Sequence, residues 1–141
     1  MITAELASRF VEVAKVPWKA TPHRGVQVKP LLIERETGLM TLLVKMEAGA
    51  RLPDHEHVLI EQTYMIEGRL VDKEGPETGL EVGPGDFVWR PAGSRHAAWA
   101  PEGALMIAMF QAPNKFFEQN GRVVDMFGQD WNLAWKRSVP A

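Results

Sequence analysis

The residues most able to do chemistry in this chain lie close together. The stretch GARLPDHEHVLIEQTYMIEG, residues 49–68, carries His55, His57 and Glu61 between flanking glycines, in a sequence with only four histidines. In an extended strand, side chains two apart point to the same face, so His55 and His57 can aim at one point. Glu61 cannot join them along a straight strand. Four residues at roughly 3.3 Å each would carry it about 13 Å past His57, whereas a ligand atom sits about 2 Å from its metal. Coordination by Glu61 therefore requires the chain to reverse within Val58-Leu59-Ile60, giving strand, tight connection, strand, with the metal between neighbouring strands. A third imidazole, His96, follows the turn Pro91-Ala-Gly93. Three imidazoles and a carboxylate suit divalent iron, manganese, nickel, cobalt or zinc, and not calcium. His23, in TPHRG, reads as a surface or hydrogen-bonded histidine.

The elements that must position these groups are short. Ten prolines and twelve glycines are spread through 141 residues. Val26-Gln-Val28 alternates after Gly25, and Leu39 to Met46 puts Leu42, Val44 and Met46 on one face. Thr63 to Ile66, Phe87 to Arg90 and Leu105 to Phe110 are further strands, with turns at Gly75-Pro76, Gly83-Pro-Gly85 and Pro91-Ala-Gly93. Such spacing predicts an all-β sandwich or barrel, not a βαβ fold. Helix is expected only near Thr3 to Phe10 and over Asp130 to Lys136, with Asp130 as N-cap. Asn120-Gly121 predicts a hairpin between Phe116-Phe117 and Val123-Val124.

Composition sets the outer limits. The length suits one domain, read as an N-terminal arm (1–25), a barrel core (26–112) and a C-terminal extension (113–141). Charged residues make up 24% and hydrophobic residues 45%, and the net charge of −2 is interspersed. Neither nucleic acid nor a membrane surface is therefore expected as partner. With no cysteine and no basic-then-apolar leader, a cytoplasmic location is expected.

The histidines and glycines complete a known pattern. Gly49, His55, His57, Glu61 and Gly68 match every position of the first cupin motif. Gly85, Pro91, Gly93 and His96 match the second, which ends on Ala100 where asparagine is usual. Sixteen residues, 69–84, separate the two, as in microbial single-domain cupins. The segments VPWKATPHRGVQVKPLL, MEAGARLPDHEH and RPAGSRHAAW resemble the ChrR-like cupin group. That group includes the sensor domain of an anti-sigma factor and dioxygenases of the acetylacetone and 2,4′-dihydroxyacetophenone type. The tail FFEQNGRVVDMFGQDWNLAW is similar to the dioxygenase side.

The resemblance implies an RmlC-like jelly-roll double-stranded β-barrel with short terminal extensions. It implies one divalent transition metal per chain on His55, His57 and His96, with Glu61 as fourth ligand. Iron(II) is favoured; zinc, manganese, nickel and cobalt are the alternatives. The implied activity is a non-haem dioxygenase cleaving a carbon–carbon bond of a small carbonyl compound. The other class is a non-catalytic metal- or ligand-sensing module. Met46, Met65, Trp89 and Phe110 are candidates to line a substrate pocket. Arg51 and Arg90 read as exposed ion-pairing residues. Val58-Leu59-Ile60, with Phe116, Phe117, Met126, Phe127, Trp131 and Trp135, is more apolar surface than a short tail should bury on itself. A homodimer, at least, is expected to cover it.

Overall fold

In a computed structural model, which describes residues 4–135, the chain forms twelve strands and one short helix. The strands are β1 (Lys19–Ala20), β2 (Val26–Ile33), β3 (Met40–Met46), β4 (Ala50–Glu56), β5 (Glu61–Gly68), β6 (Leu70–Glu74), β7 (Glu81–Val82), β8 (Phe87–Arg90), β9 (Arg95–Ala100), β10 (Ala104–Phe110), β11 (Lys115–Phe117) and β12 (Val123–Val124); the helix is α1 (Trp131–Trp135). Two six-stranded antiparallel sheets result, in the orders β1-β2-β3-β10-β5-β8 and β12-β11-β4-β9-β6-β7. They face each other in the two-layer arrangement of a jelly roll.

Period-two alternation builds the core between them. Met40, Leu42, Val44 and Met46 of β3 are buried, as are Met106, Ala108 and Phe110 of β10 and Thr63 and Met65 of β5. Their neighbours Thr41, Leu43 and Lys45, and Tyr64 and Ile66, turn outward. The glycine that closes the first motif has a steric reason. Gly68 has φ +75°, and a Cβ there would stand 2.0 Å from the Gly103 carbonyl oxygen. Gly49, at φ +84°, has open space around it.

Several expectations change in three dimensions. β4 and β5 are not neighbouring strands of a hairpin. They belong to opposite sheets, and Val58-Leu59-Ile60 carries the chain across from one to the other. The separation follows from burial: a reversal across the sandwich lets His55 and Glu61 approach the same interior from both sides. Of the region Thr3 to Phe10, only a single 3-10 turn at Ala4–Leu6 forms among the described residues. At the other end the Asp130 side chain does cap α1, its Oδ1 accepting the Leu133 N–H at 3.1 Å; Lys136 lies outside the described residues. The hairpin at Asn120-Gly121 pairs Phe116 with Val124 and Phe117 with Val123.

The tail buries itself on its own barrel. β11 pairs with β4, and Phe116, Met126, Trp131 and Trp135 are all buried. Asp125, with no exposed surface, holds the fold-back together. It accepts the Phe127 and Gln129 N–H groups on Oδ1 and the Trp135 indole N–H on Oδ2. The barrel of the same chain thus covers these four side chains, while Phe117, Phe127 and Val58-Leu59-Ile60 are half-buried. Large apolar side chains that remain exposed include Tyr64, Ile66, Phe87 and Trp89, on the outer face of β5 and β8.

The two glycines provide a contrast that checks this packing. Gly49→Ala should cost about 1–3 kcal/mol, the strain of a left-handed backbone alone. Gly68→Ala adds a backbone collision and should cost distinctly more. Urea denaturation of both variants at neutral pH reads the difference, and equal costs would contradict the close approach to Gly103.

Candidate metal centre

His55 and His96 come together because β4 and β9 pair in register at those two residues. His57 sits one residue past the end of β4, where its N–H bonds to the Ser94 carbonyl at 2.8 Å. That bond ties it to the turn before β9. The three ring centroids lie 4.5–5.0 Å apart, and one ligand nitrogen from each falls within 4.8 Å of the others. All three residues are buried.

Each ring is oriented from behind by an acceptor. His55 Nδ1 stands 2.8 Å from the Pro53 carbonyl oxygen. His57 Nδ1 lies 3.1 Å from the Ser94 carbonyl and 3.0 Å from Ser94 Oγ, a hydroxyl whose own proton goes to the Pro91 carbonyl. Carbonyl oxygens only accept, so both rings carry their proton on Nδ1 and present a bare Nε2 lone pair. His96 Nδ1 lies 3.1 Å from Asp72 Oδ1, off the line of a good hydrogen bond but at ion-pair distance. The Nε2 atom of His57 is fully buried with no hydrogen-bond partner. Three converging imidazoles, one with an orphaned lone pair, are what a divalent transition metal satisfies.

Electrostatics favour the neutral, ligating form. Burial, then the proximity of the other two histidines, pushes the His55 pKa down to about 3. Burial, His96 and the Arg90 guanidinium bring His57 to about 3 as well. Asp72 belongs to a buried arrangement not seen in the sequence. Its carboxylate takes a two-point hydrogen bond from Arg90, at 2.7 and 2.9 Å. Burial opposes its charge, but the contacts with His96 and Arg90 prevail and hold its pKa below the usual value. A negative carboxylate behind His96 strengthens that imidazole as a ligand.

Glu61 begins β5 on the opposite sheet and stands beside the triad. Its Oε1 is 3.8 Å from His57 Nε2 and takes a 2.7 Å hydrogen bond from Asn114 Nδ2; its Oε2 accepts the Thr63 hydroxyl at 3.1 Å. The cluster that could hold a metal is thus His55, His57 and His96, with Glu61 held beside it by two donors. Beneath the triad lies a cavity of about 30 Å³, walled by apolar side chains including Leu52, Met106, Phe110 and Met126. On the outer side, His57 and His96 border a second pocket of about 50 Å³, edged by Glu77, Trp89 and Arg95.

The candidate pocket residues divide accordingly. Phe110 lines the cavity. Met46 does not: it pairs with Val26 and Ala104 and borders a surface pocket beside Gly68 and Gly103, away from the histidines. Met65 is buried core and no part of the cavity wall. Trp89 is 54% exposed, because alternation in β8 turns Val88 and Arg90 inward and leaves Trp89 at the outer rim. The same alternation corrects Arg90, which is ion-paired as read but buried rather than exposed. Asp72, Ser94 and Asn114 were missed, and Met126, read as tail surface, lines the cavity. The one available signal was Asp72, a charge at an otherwise inward position of the strand Leu70–Glu74.

A two-sheet β-sandwich enclosing three inward histidines defines the cupin class of protein. Residues 7–115 match the family model of the ChrR cupin-like domain, and the chain belongs to that family. A candidate acetylacetone dioxygenase from Methylibium petroleiphilum PM1 superposes with a TM-score of 0.76 at 22% identity, covering 96% of this chain and 99% of that one. An acetylacetone dioxygenase from Acinetobacter johnsonii gives 0.75 at 19% identity, with 94% of each chain covered. A protein of unknown function with a cupin-like fold from Ralstonia eutropha JMP134 gives 0.73 at 28% identity, covering 88% and 79%. At these identities the likeness to the two dioxygenases is one of fold. Comparison with curated proteins gives no match. No helix among the described residues is long and apolar enough to cross a membrane.

Two outcomes check the centre. Alanine at His55, His57 or His96 should abolish stoichiometric metal binding, while Asp72→Asn should weaken it by about 10–100-fold. Competition with a chelating dye on protein confirmed folded by circular dichroism reads both, and full occupancy in His96→Ala would show the ligands to be wrong. The second outcome concerns pH in metal-free protein. His55 and His57 stay neutral in the fold down to about 3, whereas in the unfolded chain each takes a proton near 6.5. The unfolded state then binds more protons between those values, so stability falls as pH drops from neutral. Asp72 does not offset this, because its contribution is lost only at still lower pH. Tm measured at about pH 5 should lie below that at about pH 7.5; the reverse order would contradict neutral buried imidazoles.

Proposed function

We propose that this chain is a metal-dependent enzyme of the non-haem dioxygenase type, acting on a small carbonyl compound such as a β-diketone or a hydroxyacetophenone. The observation that carries the proposal is the convergence of three buried imidazoles, with the Nε2 of His57 left without a partner, beside a largely apolar cavity. His55, His57 and His96 would hold the ion, iron(II) by preference, on one side only. Bound there, iron supplies Lewis-acid and one-electron chemistry. Asp72, Ser94 and the Pro53 carbonyl keep the rings in ligating orientation. Glu61 is restrained by Asn114 and Thr63 and places negative charge at the edge of the site. The apolar wall excludes water from a carbonyl substrate's reacting carbons. The fold shared with acetylacetone dioxygenases supports the same reading by analogy.

One observation favours the alternative, a non-catalytic metal- or ligand-sensing module. The cavity's roughly 30 Å³ admits little more than water, so a carbonyl compound enters only if wall side chains shift, as the flexible Met106 and Met126 can. Oxygen uptake distinguishes the two. Iron(II)-reconstituted protein should consume O₂ with acetylacetone or 2,4′-dihydroxyacetophenone, and the His96→Ala protein should not. Stable metal binding without uptake on any carbonyl compound would assign the sensing role instead.

A further inference from the structure

Asn114 lies outside both histidine motifs, just before β11, yet it is among the most buried polar residues of the chain, with 5% of its surface exposed. It lines the apolar cavity beneath the triad. Its side-chain amide faces two ways. The Nδ2 end donates to Glu61 Oε1 at 2.7 Å, and since a carboxylate accepts, the amide cannot be turned over without losing that bond. The Oδ1 end is therefore the other one, and it is buried without a hydrogen-bond partner.

A buried orphan acceptor costs free energy unless something donates to it. The protein groups nearby do not. Both terminal nitrogens of Arg90 are turned onto Asp72, the Nδ1 protons of His55 and His57 go to backbone carbonyls, His96 Nδ1 stands against Asp72, and the Thr63 hydroxyl is engaged with Glu61. The remaining cavity wall is made of aliphatic, methionine and phenylalanine side chains and has no N–H or O–H side chain.

We propose that Asn114 is a specificity-determining residue whose Oδ1 accepts a hydrogen bond from the molecule bound beside the metal. The ligand class that fits is a small, mostly apolar molecule presenting an O–H or N–H group next to its metal-binding oxygen. A ligand carrying a methyl group in that place leaves Oδ1 unpaired and is rejected. This rests on the reading of the triad as a metal centre. It adds that the chain distinguishes donor-bearing carbonyl compounds from plain ketones.

The test uses two probes that differ by one group, hydroxyacetone and butanone, titrated into zinc-loaded protein and followed by amide chemical shifts. Wild type should prefer hydroxyacetone by about tenfold or more, the usual consequence of leaving a buried polar group unpaired. In Asn114→Leu the preference should fall to within about twofold, with butanone binding no worse than in wild type. A wild-type ratio near one overturns the proposal, because a trapped water then satisfies Oδ1 equally with either probe. A preference that survives in Asn114→Leu overturns it too, since another acceptor is then responsible. Should Asn114→Leu fail to fold, the wild-type ratio alone decides. Zinc uptake by wild type, lost in His96→Ala, is scored separately. Uptake with a ratio near one removes only the role of Asn114, whereas no uptake removes the metal centre and this role with it.

Discussion

Three imidazoles enclosed between two sheets impose the constraint on which the site depends. Buried together they cannot all carry charge, since desolvation and mutual repulsion each oppose protonation. A neutral imidazole must place its single proton on one nitrogen, and in a dry interior that proton needs an acceptor. For His55 and His57 the acceptors are the backbone at Pro53 and Ser94, while the Asp72 carboxylate stands at ion-pair distance from His96 Nδ1. Solving this problem for His55 and His57 leaves their Nε2 lone pairs free within a cluster that His96 completes. The candidate metal site is thus the complement of a hydrogen-bonding requirement met on the outside of the triad.

The barrel is arranged around that requirement. β4 and β9 must pair so that His55 meets His96, and the turn Pro91 to Ser94 must close against His57. Asp72 enters from β6, the strand on the far side of β9, and would itself be a costly buried charge without Arg90 from β8 on the opposite sheet. One ion pair therefore bridges the two layers and ends on a histidine. Glu61 enters from the facing sheet, with Asn114 holding it from the segment before β11. The C-terminal fold-back, fastened by Asp125 and two tryptophans, keeps that segment in place.

Linear reading recovered what depends on local spacing. His55 and His57 share a direction because alternation along an extended chain carries through the end of β4. The two glycine- and proline-bearing motifs mark His96 as their third partner. Strand alternation from Leu39 to Met46 gave the core face, and the Asn120-Gly121 hairpin and the Asp130 cap are short-range signals that tertiary packing had no reason to override.

What spacing cannot express is which strands become neighbours. A tight connection after His57 allows either a hairpin or a crossing between sheets, and only the packed sandwich selects the crossing. Trp89 and Arg90 are adjacent in sequence, so one must face in and the other out. Composition favoured burying the tryptophan, but the chain buries the arginine because Asp72, eighteen residues earlier, is there to neutralise it. The same holds for Asn114, fifty-three residues from Glu61, and for the apolar tail, whose cover is its own barrel. The sequence by itself determined that His55 and His57 share a direction, because alternation is set within a few residues, and its second motif pointed to His96. The tertiary structure alone decided the burial of polar partners, because a charge or an orphan acceptor is tolerated inside only when a distant residue arrives to meet it.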